Sequence, residues 1–311
     1  MGAVVSSCVG AGAPPVIVGG RRLLFKAPLA EGAFSFVELR ADASTGELFA
    51  LKRVPLRDDD AADARLEGRL LGALDHPHIV RLVGVAELPP TDARPLAELL
   101  LALELCAGGR LPEALARRGR RPFAEAELLV ALRGLADALA YVHARSIIHL
   151  DVKAENVLLA APADLADQAT SLPLLKLCDF GSALIAPLAL AAAGATRGAL
   201  AAAQERLDAV TTLAYRAPEL VDVRAAADRG VRELGAPADV WALGCLAYRL
   251  AFSRLPFGES KLAIVGGPPA LPDEPAYSPH VRALVGAMLE AAPDARPTAA
   301  ALVGAIDALL G

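Results

Sequence analysis

The stretch His149-Leu150-Asp151-Val152-Lys153-Ala154-Glu155-Asn156 decides how the rest of this sequence is interpreted. An Asp-Phe-Gly triplet begins 23 residues after its last residue, at 179–181, and an Ala-Pro-Glu triplet follows at 217–219. Each motif is weak evidence by itself, because so few residues often match by chance. Their order and spacing together are specific, and the rest of the chain can be tested against them.

The composition is that of a folded protein with a sizeable core. The chain has 311 residues, enough for one large domain or two modest ones. Its 31 basic and 36 acidic residues give a net charge of −5, which argues against a nucleic-acid partner. The four cysteines lie far apart without CxxC spacing, so we expect neither a zinc site nor a disulfide scaffold. Few, widely spaced cysteines are typical of proteins in a reducing compartment.

The hydrophobicity of the chain comes from alanine and does not indicate a membrane span. Apolar residues make up 55% of the sequence but aromatic residues only 4%, and alanine alone fills about a fifth. A further uncharged stretch, 182–196, is interrupted by Pro187 and Gly194. A spanning helix needs roughly 20 strongly apolar residues. We therefore expect no transmembrane helix, and the N-terminus lacks the pattern of a secretory signal.

Hydrophobic periodicity predicts an α+β fold, with a small β-rich part followed by a larger helical part. Residues 1 to about 20 lack any period and are predicted to form a flexible arm. A helix is predicted between the triple aspartate at 58–60 and His76, and a long buried one over 128–142. Short strands are predicted at 22–25, 34–40, 48–54, 79–86 and 99–105, and later helices at 236–251, 281–290 and 298–310.

The three motifs, in this order and at this spacing, resemble those of the protein kinases. The resemblance extends from about residue 21 to the C-terminus. The resemblance implies a bilobal kinase fold, with an N-lobe of about 21–105 and a C-lobe of about 106–311. It also implies ATP and Mg²⁺ as cofactors and protein serine or threonine hydroxyls as substrates. Lys153, two residues after Asp151, and Thr212 are typical of the serine/threonine class.

The resemblance assigns the catalytic roles residue by residue. Phosphoryl transfer depends on positioning and charge neutralisation more than on covalent chemistry. Asp151 would orient the substrate hydroxyl and accept its proton, and Lys153 would lie against the γ-phosphate. Asn156 and Asp179 would supply oxygen ligands to Mg²⁺, a hard cation that prefers them.

Lys52 is implied as the strand lysine that holds the α- and β-phosphates, with Glu67 as its acidic partner. The alternatives are an incidental surface lysine and a solvated helix glutamate. The chain has only five lysines among its 31 basic residues, so lysine at both 52 and 153 argues against chance.

The nucleotide-binding loop is the least regular part of the resemblance. In the stretch 29–37 only the central glycine, Gly32, is kept, because Ala30 and Ser35 stand where the family has glycines. An ordinary hairpin turn is therefore the alternative. The residues implied to contact ATP are Leu29, Gly32, Phe34, Val37, Ala50, Lys52, Asn156 and Asp179, with Glu104 and Cys106 at the hinge.

Other signature residues are implied to be structural. Glu219 and Arg296 match a buried ion pair of the family, and Asp239 matches the residue that caps the catalytic-loop backbone. We assign His143 and His280 to packing or to the surface.

Three features of the sequence are similar to those of one particular group of protein kinases, the Numb-associated kinase family. The loop 31–37 is similar to its Glu-Gly-Gly-Phe-Ser pattern, and the long segment 181–217 contains a helical stretch near 200–209. The N-terminus has a myristoylation pattern at Gly2 with Cys8 nearby for palmitate, as in a Golgi-associated member of that family. This implies an anchored protein on the cytosolic face of Golgi or trans-Golgi membranes, with a cytosolic pool. The alternatives are an unmodified Gly2 and a free Cys8 thiol.

One departure from the family stands in the catalytic loop itself. Leu150 occupies the position of an arginine that, in the family, normally bridges to a phosphate on the activation segment, which here is the segment 181–217. Leu150 and Ala30 suggest a first rival interpretation, a pseudokinase scaffold, although the catalytic residues are all retained. A second rival is a small-molecule kinase, which the motifs at 217–219 and 239–241 disfavour.

Overall fold

The computed structural model describes residues 13–311 apart from 33–34, 58–60, 93, 120, 162–171, 191–195 and 268. The chain forms two compact units. The first comprises the residues up to Asp75 together with Val80–Cys106, and the second comprises His76–Ile79 together with Ala107–Gly311. The division differs slightly from the predicted one, because His76–Ile79 joins the second unit and Cys106 the first.

The first unit is a six-stranded antiparallel sheet with one helix. The elements are β1 (Val16–Val18), β2 (Arg21–Glu31), β3 (Phe36–Asp42), β4 (Leu48–Leu56), α1 (Ala61–Ala73), β5 (Leu82–Leu88) and β6 (Ala97–Glu104). The strands lie in the sheet in the order β1-β2-β3-β4-β6-β5. One face of the sheet forms a core in which Leu23, Phe49 and Leu51 are buried.

Strand β1 corrects the predicted boundary of the N-terminal arm. Val16 pairs with Leu23 of β2, and both Val16 and Val18 are buried in the core of the sheet. Gly19, with φ +56°, allows the tight turn into β2. The predicted arm therefore cannot extend to residue 20. Three residues of alternating burial are too short a pattern to predict a strand from sequence.

The second unit is mainly helical. Its helices are α2 (Leu111–Arg118), α3 (Glu125–His143), α4 (Arg197–Val210), α5 (Pro218–Val221), α6 (Val223–Asp228), α7 (Ala236–Phe252), α8 (Lys261–Val265), α9 (Pro279–Met288) and α10 (Ala299–Leu310). Its short strands are β7 (Gly109–Arg110), β8 (Ile147–Ile148), β9 (Val157–Leu159), β10 (Leu175–Leu177), β11 (Leu184–Ile185), β12 (Leu188–Ala189) and β13 (Glu233–Leu234). Single 3₁₀ turns lie at Ala154–Asn156, Phe180–Ser182, Leu213–Tyr215 and Pro293–Ala295.

Helix α3 is the centre of this second unit, as its apolar period predicts. Leu128, Leu132, Leu135, Leu139 and Val142 are all buried, and α3 packs against α7 and α10. An apolar helix face of this length is buried from solvent only when other elements pack against it on both sides. None of the helices within the described ranges is both long and apolar enough to cross a membrane.

The buried ion pair that the sequence predicts also forms in the second unit. Arg296 donates from Nη1 to Glu219 Oε1 at 2.7 Å and from Nη2 to Oε2 at 2.8 Å. Its guanidinium also lies 5.0 Å from the centre of the Trp241 ring. This geometry satisfies both charges without water, and so fixes the start of α5 to the segment before α10.

Candidate active site

The backbone of the catalytic loop is held in place by a carboxylate from α7. Asp239 accepts hydrogen bonds from the backbone N–H groups of His149 and Leu150, each at 2.8 Å. Leu150 has φ +64°, a strained conformation for a residue with a side chain. The two buried hydrogen bonds offset that strain, and they orient the loop just before Asp151.

His143 has a role that the sequence analysis missed. Its Nε2 lies 2.8 Å from Asp239 Oδ2, so assigning His143 to packing or surface alone was wrong. Burial alone would raise the pKa of Asp239, but the hydrogen bonds from His143 and from the His149 backbone outweigh it and lower that pKa. Asp239 is therefore held as a carboxylate. The position of His143 in the last turn of α3 gave no signal of a partner 96 residues away.

Both carboxylate oxygens of Asp151 are engaged by neighbouring side chains. Thr212 Oγ1 donates to Oδ1 at 2.8 Å, and Asn156 Nδ2 donates to Oδ2 at 2.9 Å. Lys153 Nζ lies 2.7 Å from Oδ2 and donates to Thr212 Oγ1 at 2.8 Å. Thr212 thus joins the site from a position 61 residues farther along the chain. This network fixes the direction in which Asp151 can accept a proton.

Asn156 and Asp179 are connected through the backbone. Asn156 O accepts a hydrogen bond from the N–H of Cys178 at 2.9 Å, which places Asp179 next to the loop. The amide nitrogen of Asn156 donates to Asp151, and its Oδ1 accepts no hydrogen bond from any residue in the described ranges. A free amide oxygen and a carboxylate are the ligands that Mg²⁺ prefers, so this donor set fits the ion.

The Asp-Phe-Gly segment packs directly on the catalytic loop. The rings of His149 and Phe180 meet edge to face, with their centroids 4.7 Å apart. His149 Nε2 also lies 3.2 Å from the carbonyl oxygen of Cys178. These contacts hold the backbone on either side of Asp179.

Lys52 and Glu67 form the predicted ion pair within the first unit. Lys52 Nζ of β4 donates to Glu67 Oε1 at 2.7 Å and to Oε2 at 2.9 Å. Glu67 is buried on α1, whereas the Lys52 side chain is only partly buried. The pair fixes the ammonium group in position, as an interaction with phosphate requires.

The residues implied to contact the adenine lie on the same face of the sheet as Lys52. Val37 is the cross-strand partner of Lys52, and Ala50 lies two residues before it, so all three side chains share a face. Leu103 pairs with Ala50 on that face. Leu29 lies at a β-bulge in β2 and is exposed.

The predicted nucleotide-binding loop, 29–37, spans the connection between β2 and β3. The N–H of Gly32 donates to the carbonyl oxygen of Ser35 at 2.8 Å, between the paired residues Glu31 and Phe36. Both the nucleotide-loop interpretation and the plain hairpin alternative predict this turn. Phe34 lies outside the described residues.

The predicted hinge lies at the end of β6. Glu104 donates its N–H to Arg81 O at 3.0 Å and accepts the N–H of Arg81 on Oε1 at 2.8 Å. Cys106 is buried, which agrees with a thiol that packs in the core. Gly2 and Cys8, the predicted acylation sites, lie outside the described residues.

Helix α4 is fixed to its neighbours by side chains that the sequence analysis did not identify. Gln204 donates to Leu220 O at 3.1 Å and accepts the N–H of Val223 at 2.9 Å. Arg216 pairs with Asp208 and donates to Thr211 O at 3.0 Å. Polar contacts across the segment could not be predicted, because they depend on how α4 packs against α5 and α6.

Comparisons with known proteins agree with this site. A probable serine/threonine-protein kinase from Dictyostelium discoideum is 31% identical over 90% of this chain and 24% of its own length. The serine/threonine-protein kinase ppk30 from Schizosaccharomyces pombe is 33% identical over 90% of this chain and 28% of its own length. A second probable serine/threonine-protein kinase from D. discoideum is 31% identical over 94% of this chain and 35% of its own length.

The chain thus spans between about a quarter and a third of the length of these relatives. The predicted α+β class is confirmed, with an antiparallel sheet in the first unit and helices in the second. Residues 25–305 match the protein kinase domain model, and this chain belongs to the protein kinase domain family.

Proposed function

We propose that this chain is an ATP-dependent serine/threonine protein kinase that transfers the γ-phosphate of ATP to serine or threonine hydroxyls of proteins. The observation that carries the proposal is the Asp151 network, in which Thr212, Lys153 and Asn156 hold both carboxylate oxygens. A scaffold without catalysis has no need to orient a carboxylate so tightly.

Each residue of the candidate active site has a defined task in the proposed mechanism. Mg·ATP, when bound, supplies the phosphoryl group and neutralises its developing charge. Asp151 orients the substrate hydroxyl and accepts its proton, while Lys153 lies beside it with a fixed positive charge. Asn156 and Asp179 would hold the metal through oxygen atoms. Lys52, fixed by Glu67, would hold the α- and β-phosphates.

We also propose that the protein is a Numb-associated type kinase anchored to membranes, on the cytosolic face of the Golgi or trans-Golgi. The support is the loop at 31–37, helix α4 within the segment 181–217, and the acylation pattern at Gly2 and Cys8. One myristoyl chain gives only marginal binding, with a partition constant of roughly 10⁴ M⁻¹, so a second acyl group at Cys8 completes the anchor.

A phosphate-transfer assay tests the catalytic proposal. Purified protein is incubated with labelled ATP, Mg²⁺ and a peptide library. Asp151→Asn and Lys52→Met should each reduce transfer by about 10²- to 10⁴-fold, because the first removes the proposed proton acceptor and the second removes the cation that would hold the α- and β-phosphates. Circular dichroism of both variants checks that they stay folded. Arg254→Gln, at an exposed position, is the matched control.

The same assay addresses the rival scaffold function, which Ala30 and Leu150 suggest. Wild-type protein that binds nucleotide but transfers no phosphate to any peptide would favour a pseudokinase. Wild-type turnover by both substituted proteins would show that the residues were assigned wrongly.

A further inference from the structure

An arginine from α7 reaches the catalytic loop close to Asp151. Arg249 Nη1 donates to Glu155 Oε1 at 3.1 Å and to the Tyr215 hydroxyl oxygen at 2.8 Å. Glu155 lies four residues after Asp151, in the 3₁₀ turn Ala154–Asn156. The side chains of Arg249 and Glu155 keep 25% and 38% of their surface exposed, so both are open to solvent.

Two guanidinium groups contact Glu155, but only that of Arg249 forms an ion pair with its carboxylate. Burial raises the pKa of Tyr215, so its phenol is neutral, and the single negative charge of Glu155 is matched by Arg249. Arg110 adds a second guanidinium, which donates to the carbonyl oxygen of Glu155 from Nη2 at 3.0 Å and from Nε at 3.2 Å. Glu113 lies nearby but accepts from the Arg110 backbone N–H. No carboxylate in the described ranges forms an ion pair with the Arg110 side chain.

The guanidinium of Arg249 is fixed and still has donors to offer. Both hydrogens of Nη1 are used by Glu155 and Tyr215, which sets the plane of the group. Its Nη2 and Nε donate to no residue in the described part of the chain. A preorganised guanidinium with two unused donor groups suits a carboxylate, because little conformational entropy is lost on binding.

We propose that Arg249 is a specificity-determining residue that selects protein substrates with an aspartate or glutamate near the phosphorylated hydroxyl. Arg110 reinforces this selection. By pairing with Glu155, Arg249 also prevents that carboxylate from binding a basic residue of a substrate. The inference rests on the proposed function, since it concerns the substrates of that reaction.

Two substitutions should change the substrate preference in opposite directions. The probe is a peptide set with one threonine acceptor, flanked by aspartate, asparagine or arginine. In Arg249→Gln, the ratio of kcat/KM for the aspartate peptides to that for the arginine peptides should fall at least about fivefold, because the cation is lost and Glu155 is released. In Glu155→Gln the ratio should rise, because Arg249 loses its counter-charge. Arg254→Gln is the control and should keep the wild-type ratio.

Peptide binding separates this inference from the proposed function. The affinities of fluorescein-labelled aspartate and arginine peptides are measured by anisotropy, with no phosphate transfer involved. We expect wild-type protein to bind the aspartate peptide more tightly and Arg249→Gln to lose that difference. Equal binding of both peptides by wild-type protein would overturn the inference, even if the protein is an active kinase. A uniform loss of activity in both variants, with an unchanged ratio, would also overturn it, since this is what a purely structural pair predicts.

Discussion

Thr212 acts at the scale of a single hydroxyl group. Its Oγ1 donates to Asp151 and accepts from Lys153, so one atom joins the activation segment to both catalytic side chains. A hydroxyl can do this because it is both donor and acceptor. The β-branched methyl group is not needed for either bond.

This role predicts different outcomes for two substitutions at the same position. Thr212→Val keeps the shape but removes the hydroxyl, and kcat should fall about 10- to 100-fold, since a hydrogen bond to a charged group is worth about 1.5–3 kcal/mol. Thr212→Ser keeps the hydroxyl and should retain most of the activity. Steady-state kinetics with saturating ATP measures both. Equal activity of the valine and serine variants would show that the hydroxyl does not orient Asp151.

Leu150 is the residue at which this chain departs most clearly from its family. Its side chain is buried, and it carries no charge that could bind a phosphate. Leu150 therefore contributes no counter-charge to a phosphate on the activation segment, and the contacts made by the segment itself become more important.

At the scale of elements, those contacts are made around α4. Thr196 caps the start of the helix by accepting the N–H of Ala199. Ser182 Oγ donates to Val210 O at 2.7 Å, and Gln204 connects the middle of the helix to α5 and α6. Arg216 fixes its last turn through Asp208. Helix α4 is thus held at both ends and in the middle by contacts of the protein itself.

We therefore predict that phosphatase treatment leaves most of the kinase activity intact. Phosphate would gain little ordering energy here, because its usual arginine partner is replaced by Leu150. Activity is compared before and after complete dephosphorylation, checked by mass spectrometry. A loss of tenfold or more, about 1.4 kcal/mol on the barrier, would contradict the prediction.

A substitution in α4 tests the other half of this argument, that contacts of the helix itself keep the segment in its active form. Gln204→Ala removes the two hydrogen bonds to α5 and α6, so it should lower activity even in protein that has never been phosphorylated.

At the scale of the whole molecule, the distribution of charge bears on the proposed membrane anchor. The net charge is −5, and the first basic residues in the sequence are Arg21 and Arg22. Arg21 is already paired with Asp42 at 3.2 Å and with Glu47 at 3.1 Å. The proposed anchor therefore relies on Cys8, and not on a polybasic patch near Gly2, as its second membrane signal.

The proposed anchor predicts different distributions for two variants. Gly2→Ala should make the protein soluble, and Cys8→Ser should leave it exchanging between membrane and cytosol, because one chain alone binds weakly. Cell fractionation measures both. Each variant should keep full activity in vitro, since neither residue belongs to the catalytic site. Gly2→Ala protein that still pellets with membranes would refute the anchor.

Short-range patterns in the sequence were enough to identify the family and the groups that carry its chemistry. Asp151, Lys153 and Asn156 lie within six residues of one another, and the apolar face of α3 repeats at helical spacing. Both signals are local, so they can be read without knowing the packing. The same holds for the strands at 48–54 and 99–105, whose positions agree with β4 and β6 within two residues.

Tertiary structure alone decided which distant groups meet. Lys52 reaches Glu67 across 15 residues, and Asp239 reaches the loop backbone across about 90. Asp151 meets Thr212, and Glu155 meets Arg249, only because the activation segment and α7 both pack against the catalytic loop. Ion pairs and hydrogen bonds act over a few ångströms, so their partners are set by sheet register and helix packing, which no local pattern encodes.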